Sequence, residues 1–123
     1  MASTRSRRSS GVYSPVMDSM VAPGMDDGGK AHAVKRDAIP ATEAMYDIGP
    51  DTCASFTRAI SSAKTIVWNG PMGVFEIKEA SKGTFDIAEA MAANSTAKNI
   101  IGGGDSVKAV KKAKLGDKMT FIS

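Results

Sequence analysis

The chain is poor in several features that would point to other kinds of protein. One cysteine in 123 residues, Cys53, excludes an intrachain disulfide framework and fits a reducing compartment. One histidine, His32, with no Cys/His spacing around it, excludes a structural zinc site. Aromatic residues make up 6% of the chain, none interleaved with a basic stripe, and the net charge is only +3. That pattern suits anionic small molecules and argues against a nucleic-acid platform. No run approaches the roughly 20 apolar residues that a membrane-crossing helix requires, so no membrane partner is expected. The opening, Met1–Ser10, is rich in Ser and Arg and free of acids, as a transit peptide or a disordered start would be. No apolar stretch follows it, so a secretory signal is not expected and a cytoplasmic location is.

What is present is enough for one small domain, with an apolar fraction of 42%. Residues 1–37 are punctuated by Pro15, Pro23, Gly24, Gly28 and Gly29 and hold no sustained apolar period. This segment is expected to be disordered or unrelated to the domain at 38–123. Asp26-Asp27 lacks the alternation of ligands that a calcium loop needs.

From Ala38 onward, strand and helix patterns alternate. Met45–Ile48 reads as a strand closed by Gly49-Pro50, with Asp51 or Thr52 capping a helix that carries Cys53, Phe56 and Ile60 on one face. Cys53 is thus read as a buried small hydrophobe rather than a nucleophile. Lys64–Trp68 is a β-branched strand. Thr84 is a candidate cap for a helix facing inward through Phe85, Ala88 and Met91. Asn99–Ile101 is a third strand, and Asp105 or Ser106 caps a helix with Val107 and Val110 inward and Lys108, Lys111, Lys112 and Lys114 outward. Met119–Ile122 is a fourth strand. The fold class expected is α/β: an incomplete Rossmann-like parallel sheet with helices on its faces.

Two glycine motifs follow strands. In a doubly wound layer, ligands bind beyond the carboxyl ends of the strands, which is where both motifs fall. Gly102-Gly103-Gly104 would let a backbone approach a ligand closely, and the next helix would present free N–H groups to an anion. Asp105 would repel a bare phosphate, which points to a cation such as Mg²⁺ between them. The alternative is a plain strand-to-helix turn with an Asp or Ser cap. The motif is not a Walker loop, because Asp105 stands where the lysine would be, nor a dinucleotide fingerprint, because Val107 replaces its last glycine. In Trp68-Asn69-Gly70-Pro71-Met72-Gly73-Val74-Phe75-Glu76, Asn69 lies at the ligand edge, Val74 and Phe75 offer apolar surface suited to a base, and Glu76 suits ribose hydroxyls. The alternative there makes Val74 and Phe75 core residues and Glu76 a helix-start carboxylate.

The run Lys64–Glu76, followed by Ile100–Val107, resembles the C-terminal domain of phosphoglycerate kinase. Asp47-Ile48-Gly49-Pro50 and Gly83-Thr84 are similar to that family as well, and the resemblance covers roughly Ile39–Ser123. It implies a Rossmann-like Mg-nucleotide domain of a glycolytic kinase that moves a phosphoryl group between 1,3-bisphosphoglycerate and ADP, giving 3-phosphoglycerate and ATP. It further implies that Asn69 and Gly70 lie along the nucleotide phosphates and cleft. Val74 and Phe75 would wall the base and sugar pocket, and Glu76 would hold the ribose. Gly103 and Gly104 would admit the phosphates, Asp105 would ligate or orient Mg²⁺, and Ser106 would sit at the helix start. The family is usually monomeric. The phosphoglycerate-binding domain, the lysine that contacts the transferring phosphate and a last glycine turn have no counterpart here. The chain is therefore expected to be inactive alone, to need missing segments or aggregate, and to carry no catalytic residue of its own. The competing expectation is a non-catalytic structural or interaction fragment.

Overall fold

A computed structural model describes residues 15–24 and 31–122. Among these, six strands and three α-helices follow in the order β1 (Asp18–Ala22), β2 (His32–Lys35), β3 (Ala44–Ile48), α1 (Pro50–Ser62), β4 (Thr65–Asn69), α2 (Lys82–Ala93), β5 (Lys98–Gly102), α3 (Gly104–Lys112) and β6 (Phe121–Ile122). They form two three-stranded sheets. One is antiparallel with order β2-β1-β3; the other is parallel with order β4-β5-β6.

The parallel sheet is the α/β layer expected from the alternating pattern. Its register sets Trp68 beside Ile101 and Ile101 beside Ile122, and this face packs on the helices. The core joins Trp68 and Ile101 to Cys53, Phe56 and Ile60 of α1, Ile87, Ala88 and Met91 of α2, and Val110 of α3. The i, i+3, i+4 spacing of α1 therefore buries the face it marks. In α2 the inward side is Ile87, Ala88 and Met91, whereas Phe85 is only half-buried.

Two expectations change. The strand over Met45–Ile48 forms, but as β3 of the antiparallel sheet and not as a member of the parallel layer. The segment 1–37 was expected to lack structure, yet its described part supplies β1 and β2. The reason is tertiary. Asp18 and Ser19 are polar and buried, so β1 shows no alternation, and its register slips between Met20 and Val21. Residues 1–14 and 25–30, including Asp26-Asp27, lie outside the described residues.

What buries Asp18 is the start of α1. Its Oδ2 accepts the Asp51 N–H (3.0 Å) and its Oδ1 accepts the Thr52 N–H (2.9 Å). The carboxylate thus caps the helix from a different strand, in place of the local cap expected from Asp51 or Thr52, while Gly49 at the N-cap position provides no side chain. The Thr52 hydroxyl lies 2.6 Å from Asp18 Oδ1 and gives its one proton there at the shorter distance. Burial pushes the Asp18 pKa up, but the bonds from the Thr52 hydroxyl and the Asp51 and Thr52 amides outweigh it, leaving the carboxyl below its ordinary value.

Asp47, at the end of β3, does the same for α2. Its Oδ2 accepts the Gly83 N–H and its Oδ1 the Ile48 N–H, both at 2.8 Å. A Cβ on Gly83 would collide with Asp47 Oδ1 and the Ile48 side chain, so only glycine fits at this approach. At the other end, Asn94 Nδ2 donates to the carbonyls of Ile60 (2.7 Å) and Ala63 (2.9 Å), tying the end of α1 to the end of α2.

Candidate functional site

Parallel pairing brings the two glycine motifs to one place. Register sets Asn69 beside Gly102, so β4 and β5 finish together at the carboxyl edge of the sheet. The chain then turns through Gly70, at φ +101°, and through Gly103, at φ +90°, both in the region where L side chains are strained. A Cβ on Gly103 would come within 2.7 Å of Asn69 Oδ1, so steric room as well as φ demands glycine there.

The two loops are fastened by one hydrogen bond. The Gly70 N–H donates to Ser106 Oγ at 2.6 Å, with Ser106 fully buried in the first turn of α3. The side chain read as a cap for its own helix instead holds the neighbouring loop. The same device occurs at each α-helix described. Thr52 Oγ1 accepts the N–H groups of Met17 and Asp18, both at 3.0 Å. Thr84 Oγ1 accepts those of Met72 (3.1 Å) and Gly73 (3.2 Å). In all three helices the hydroxyl is the third residue, counted from Pro50, Lys82 and Gly104. Sequence reasoning marked these hydroxyls as caps because helix starts favour them; which N–H each accepts depends on a strand far away in sequence.

Beyond this junction lies open space. A Cβ on Gly102 or Gly104 would meet nothing within 4 Å, and Asn69 and Asp105 are exposed. The first turn of α3 leaves N–H groups without intrahelical partners on that side, and no side chain caps it. Gly103, Gly104, Asp105 and Asn69 therefore surround an accessible, electropositive helix start with one carboxylate at its rim.

Val74, Phe75 and Glu76 sit in the connection from β4 to α2. The Val74 N–H donates to the Tyr46 carbonyl (2.9 Å), anchoring this stretch on β3. Phe75 is buried, Val74 half-buried and Glu76 exposed. The structure thus joins Asn69, Gly70, Gly103 and Ser106 directly, while Phe75 packs inward. Among the described residues no group of three or more His, Cys, Asp or Glu is placed to hold a metal ion. Asp105 places a single exposed carboxylate beside the first turn of α3. Sequence reasoning marked Asp47 only as part of a family-like run and gave it no role, because that role depends on Gly83 approaching it from 36 residues away.

The parallel layer and the open helix start at its carboxyl edge define a Rossmann-like α/β domain. The comparisons narrow the class. The phosphoglycerate kinase family model matches residues 2–123, and so runs through the segment read as unmatched. The chain is 57% identical over 86 residues to the phosphoglycerate kinase of Koribacter versatilis (strain Ellin345), covering 70% of this chain and 21% of that protein. It is 51% identical over 109 residues to that of Chlorobium luteolum, covering 86% and 27%. The solved phosphoglycerate kinase from Coxiella burnetii superposes with a TM-score of 0.82 at 44% identity, covering 89% of this chain and 28% of that one. The chain belongs to the phosphoglycerate kinase family, a family of kinases, and spans about a quarter of the length of the curated relatives it matches.

Proposed function

We propose that this chain carries part of the Mg-nucleotide site of phosphoglycerate kinase. The observation that supports it most is the junction of the two glycine motifs, with Asn69 beside Gly102 and Gly70 held on Ser106. ADP or ATP phosphates would lie against the N–H groups of Gly103, Gly104 and Asp105 and beside Asn69 and Gly70. Val74 would line the base and sugar side with Phe75 behind it, and Glu76 would meet the ribose. Asp105 would hold or orient Mg²⁺, whose charge neutralises the phosphates.

In the whole enzyme this site serves phosphoryl transfer between 1,3-bisphosphoglycerate and ADP in glycolysis. The residues here position the nucleotide and neutralise its phosphates, and the isolated chain is expected to show no turnover. A soluble, cytoplasmic setting is part of this reading. Among the described residues no helix is long and apolar enough to cross a membrane.

The test is a thermal-shift titration of the full chain with ADP, with and without Mg²⁺. The reading expects a Mg²⁺-dependent shift at millimolar ADP that Asp105→Ala removes. No shift at millimolar ligand would favour a structural or interaction fragment that keeps the fold without binding. ATP formation from 1,3-bisphosphoglycerate and ADP by the chain alone, abolished by Asp105→Ala, would overturn the absence of turnover.

A further inference from the structure

Helices α1 and α2 each carry a second stripe, turned away from the core. On α1 it runs through Pro50, Ala54 and Thr57, and on α2 through Lys82, Asp86 and Glu89, both at i, i+4, i+7 spacing. Between the stripes lies an open, mainly apolar groove of about 890 Å³, with buried Ile48 and Cys53 at its base. That size falls within the roughly 300–1,000 Å³ of small-molecule sites. The space exists because Ala33, Ala54 and Ala90 put short side chains on its walls, where longer ones would fill it. None of Asn69, Gly70, Val74–Glu76 or Gly103–Ser106 lines it, so it is separate from the candidate nucleotide site.

The charge of the groove runs against that of the chain. Its lining holds the carboxylates of Asp47, Glu79, Asp86 and Glu89 against two cations, Lys82 and Arg58, in a chain of net charge +3. Lys82 is already paired with Asp86, Nζ to Oδ2 at 2.7 Å, and Asp47 lies at the base with its oxygens on the Gly83 and Ile48 N–H groups. Glu79 and Glu89 are exposed and make no ion pair among the described residues. We propose that this groove binds an organic cation with an apolar body, of the arylalkylamine class. The hydrocarbon lies along Ile48, Ala54 and Ala90, and the ammonium points outward to Asp86 and Glu89. The body leaves water on burial, and an ammonium beside carboxylates at an apolar wall is held more strongly than on an open surface. An anion of the same shape would meet those carboxylates and is disfavoured, the reverse of what the open helix start of α3 would select. The inference rests on the groove and not on nucleotide binding, so either can fail without the other.

The experiment titrates the full chain with 3-phenylpropylamine, and separately with 3-phenylpropionate, without nucleotide, and follows backbone amide shifts by NMR. Saturable shifts at Ala54, Thr57 and Ala90 are expected with the amine, at an affinity roughly tenfold above that of the carboxylate. Ala90→Leu, which fills the groove, should weaken amine binding by roughly tenfold. Glu89→Gln, at an exposed position and with its fold checked by its melting curve, should weaken it about threefold and narrow the preference over the carboxylate. Lys111→Gln, exposed on α3 and outside the groove, should change neither. No saturable shift with the amine at millimolar concentration, equal binding of the carboxylate, indifference to Ala90→Leu or to Glu89→Gln, or shifts centred elsewhere on the chain would overturn the proposal.

Discussion

Between pH 7 and pH 5 the folded chain should gain about 1 kcal/mol of stability from one carboxyl group, Asp47. Burial raises its pKa from 3.8 to about 6, against the lowering effect of the Gly83 and Ile48 N–H groups; nearby Asp86 adds to the rise and Lys82 opposes it. Because the folded pKa exceeds the unfolded one, the folded state binds the proton first. Stability from this group is full below pH 3.8 and is lost as pH rises through 6. The whole difference is about 3 kcal/mol, at 1.36 kcal/mol per unit of pKa. Most of it is still to come below pH 5. Asp18 has the opposite sign: its folded pKa is lowered, so its contribution is present above its ordinary value and disappears as pH falls further. The two carboxyls together place an optimum in the mildly acid range.

Urea unfolding at pH 5, 6 and 7 measures this, followed through the fluorescence of Trp68, the only tryptophan and 2% exposed. Asp47→Asn should flatten the rise toward acid. It should also cost about 1–3 kcal/mol throughout, because its amide would present a donor to one of the two N–H groups. A variant with the same pH slope as the parent, or a parent with no rise between pH 7 and pH 5, would refute the assignment to Asp47.

Gly103→Ala should destabilise the fold by about 1–3 kcal/mol in thermal unfolding, because alanine is strained at φ +90° and its methyl meets Asn69 Oδ1; Gly104→Ala, facing open space, should be tolerated. Thr84→Val leaves the Met72 and Gly73 N–H groups without their acceptor and should cost about 1–3 kcal/mol in urea unfolding. Cys53 is buried and its thiol is pushed up to about 11, so at pH 8 a thiol reagent should label it only as fast as the chain unfolds, and urea should release rapid labelling.

The parallel layer was legible because β-branched runs such as Thr65-Ile66-Val67 mark strands, and the spacing of Cys53, Phe56 and Ile60 marks a buried helix face. The glycine motifs were legible because only glycine serves Gly103. What could not be read was β1. Asp18 and Ser19 look like surface residues until α1 arrives to be capped by Asp18, and β2 is a short edge strand with three exposed residues. The hydroxyls of Thr52, Thr84 and Ser106 were located correctly at helix starts, but their partners lie 11 to 36 residues away, beyond any local pattern. Phe75 illustrates the same limit: sequence allowed a base-pocket wall or a core residue, and packing buries it.

The central claim is that two loops distant in sequence make one phosphate-binding edge. Amide NMR of the full chain titrated with Mg-ADP tests it directly. The account predicts shifts that saturate together at Asn69–Gly70 and at Gly103–Ser106, with one apparent affinity and loss of both in Asp105→Ala. Shifts confined to one of the two loops, or centred instead on the groove between α1 and α2 lined by Ile48, Cys53 and Ala90, would contradict it.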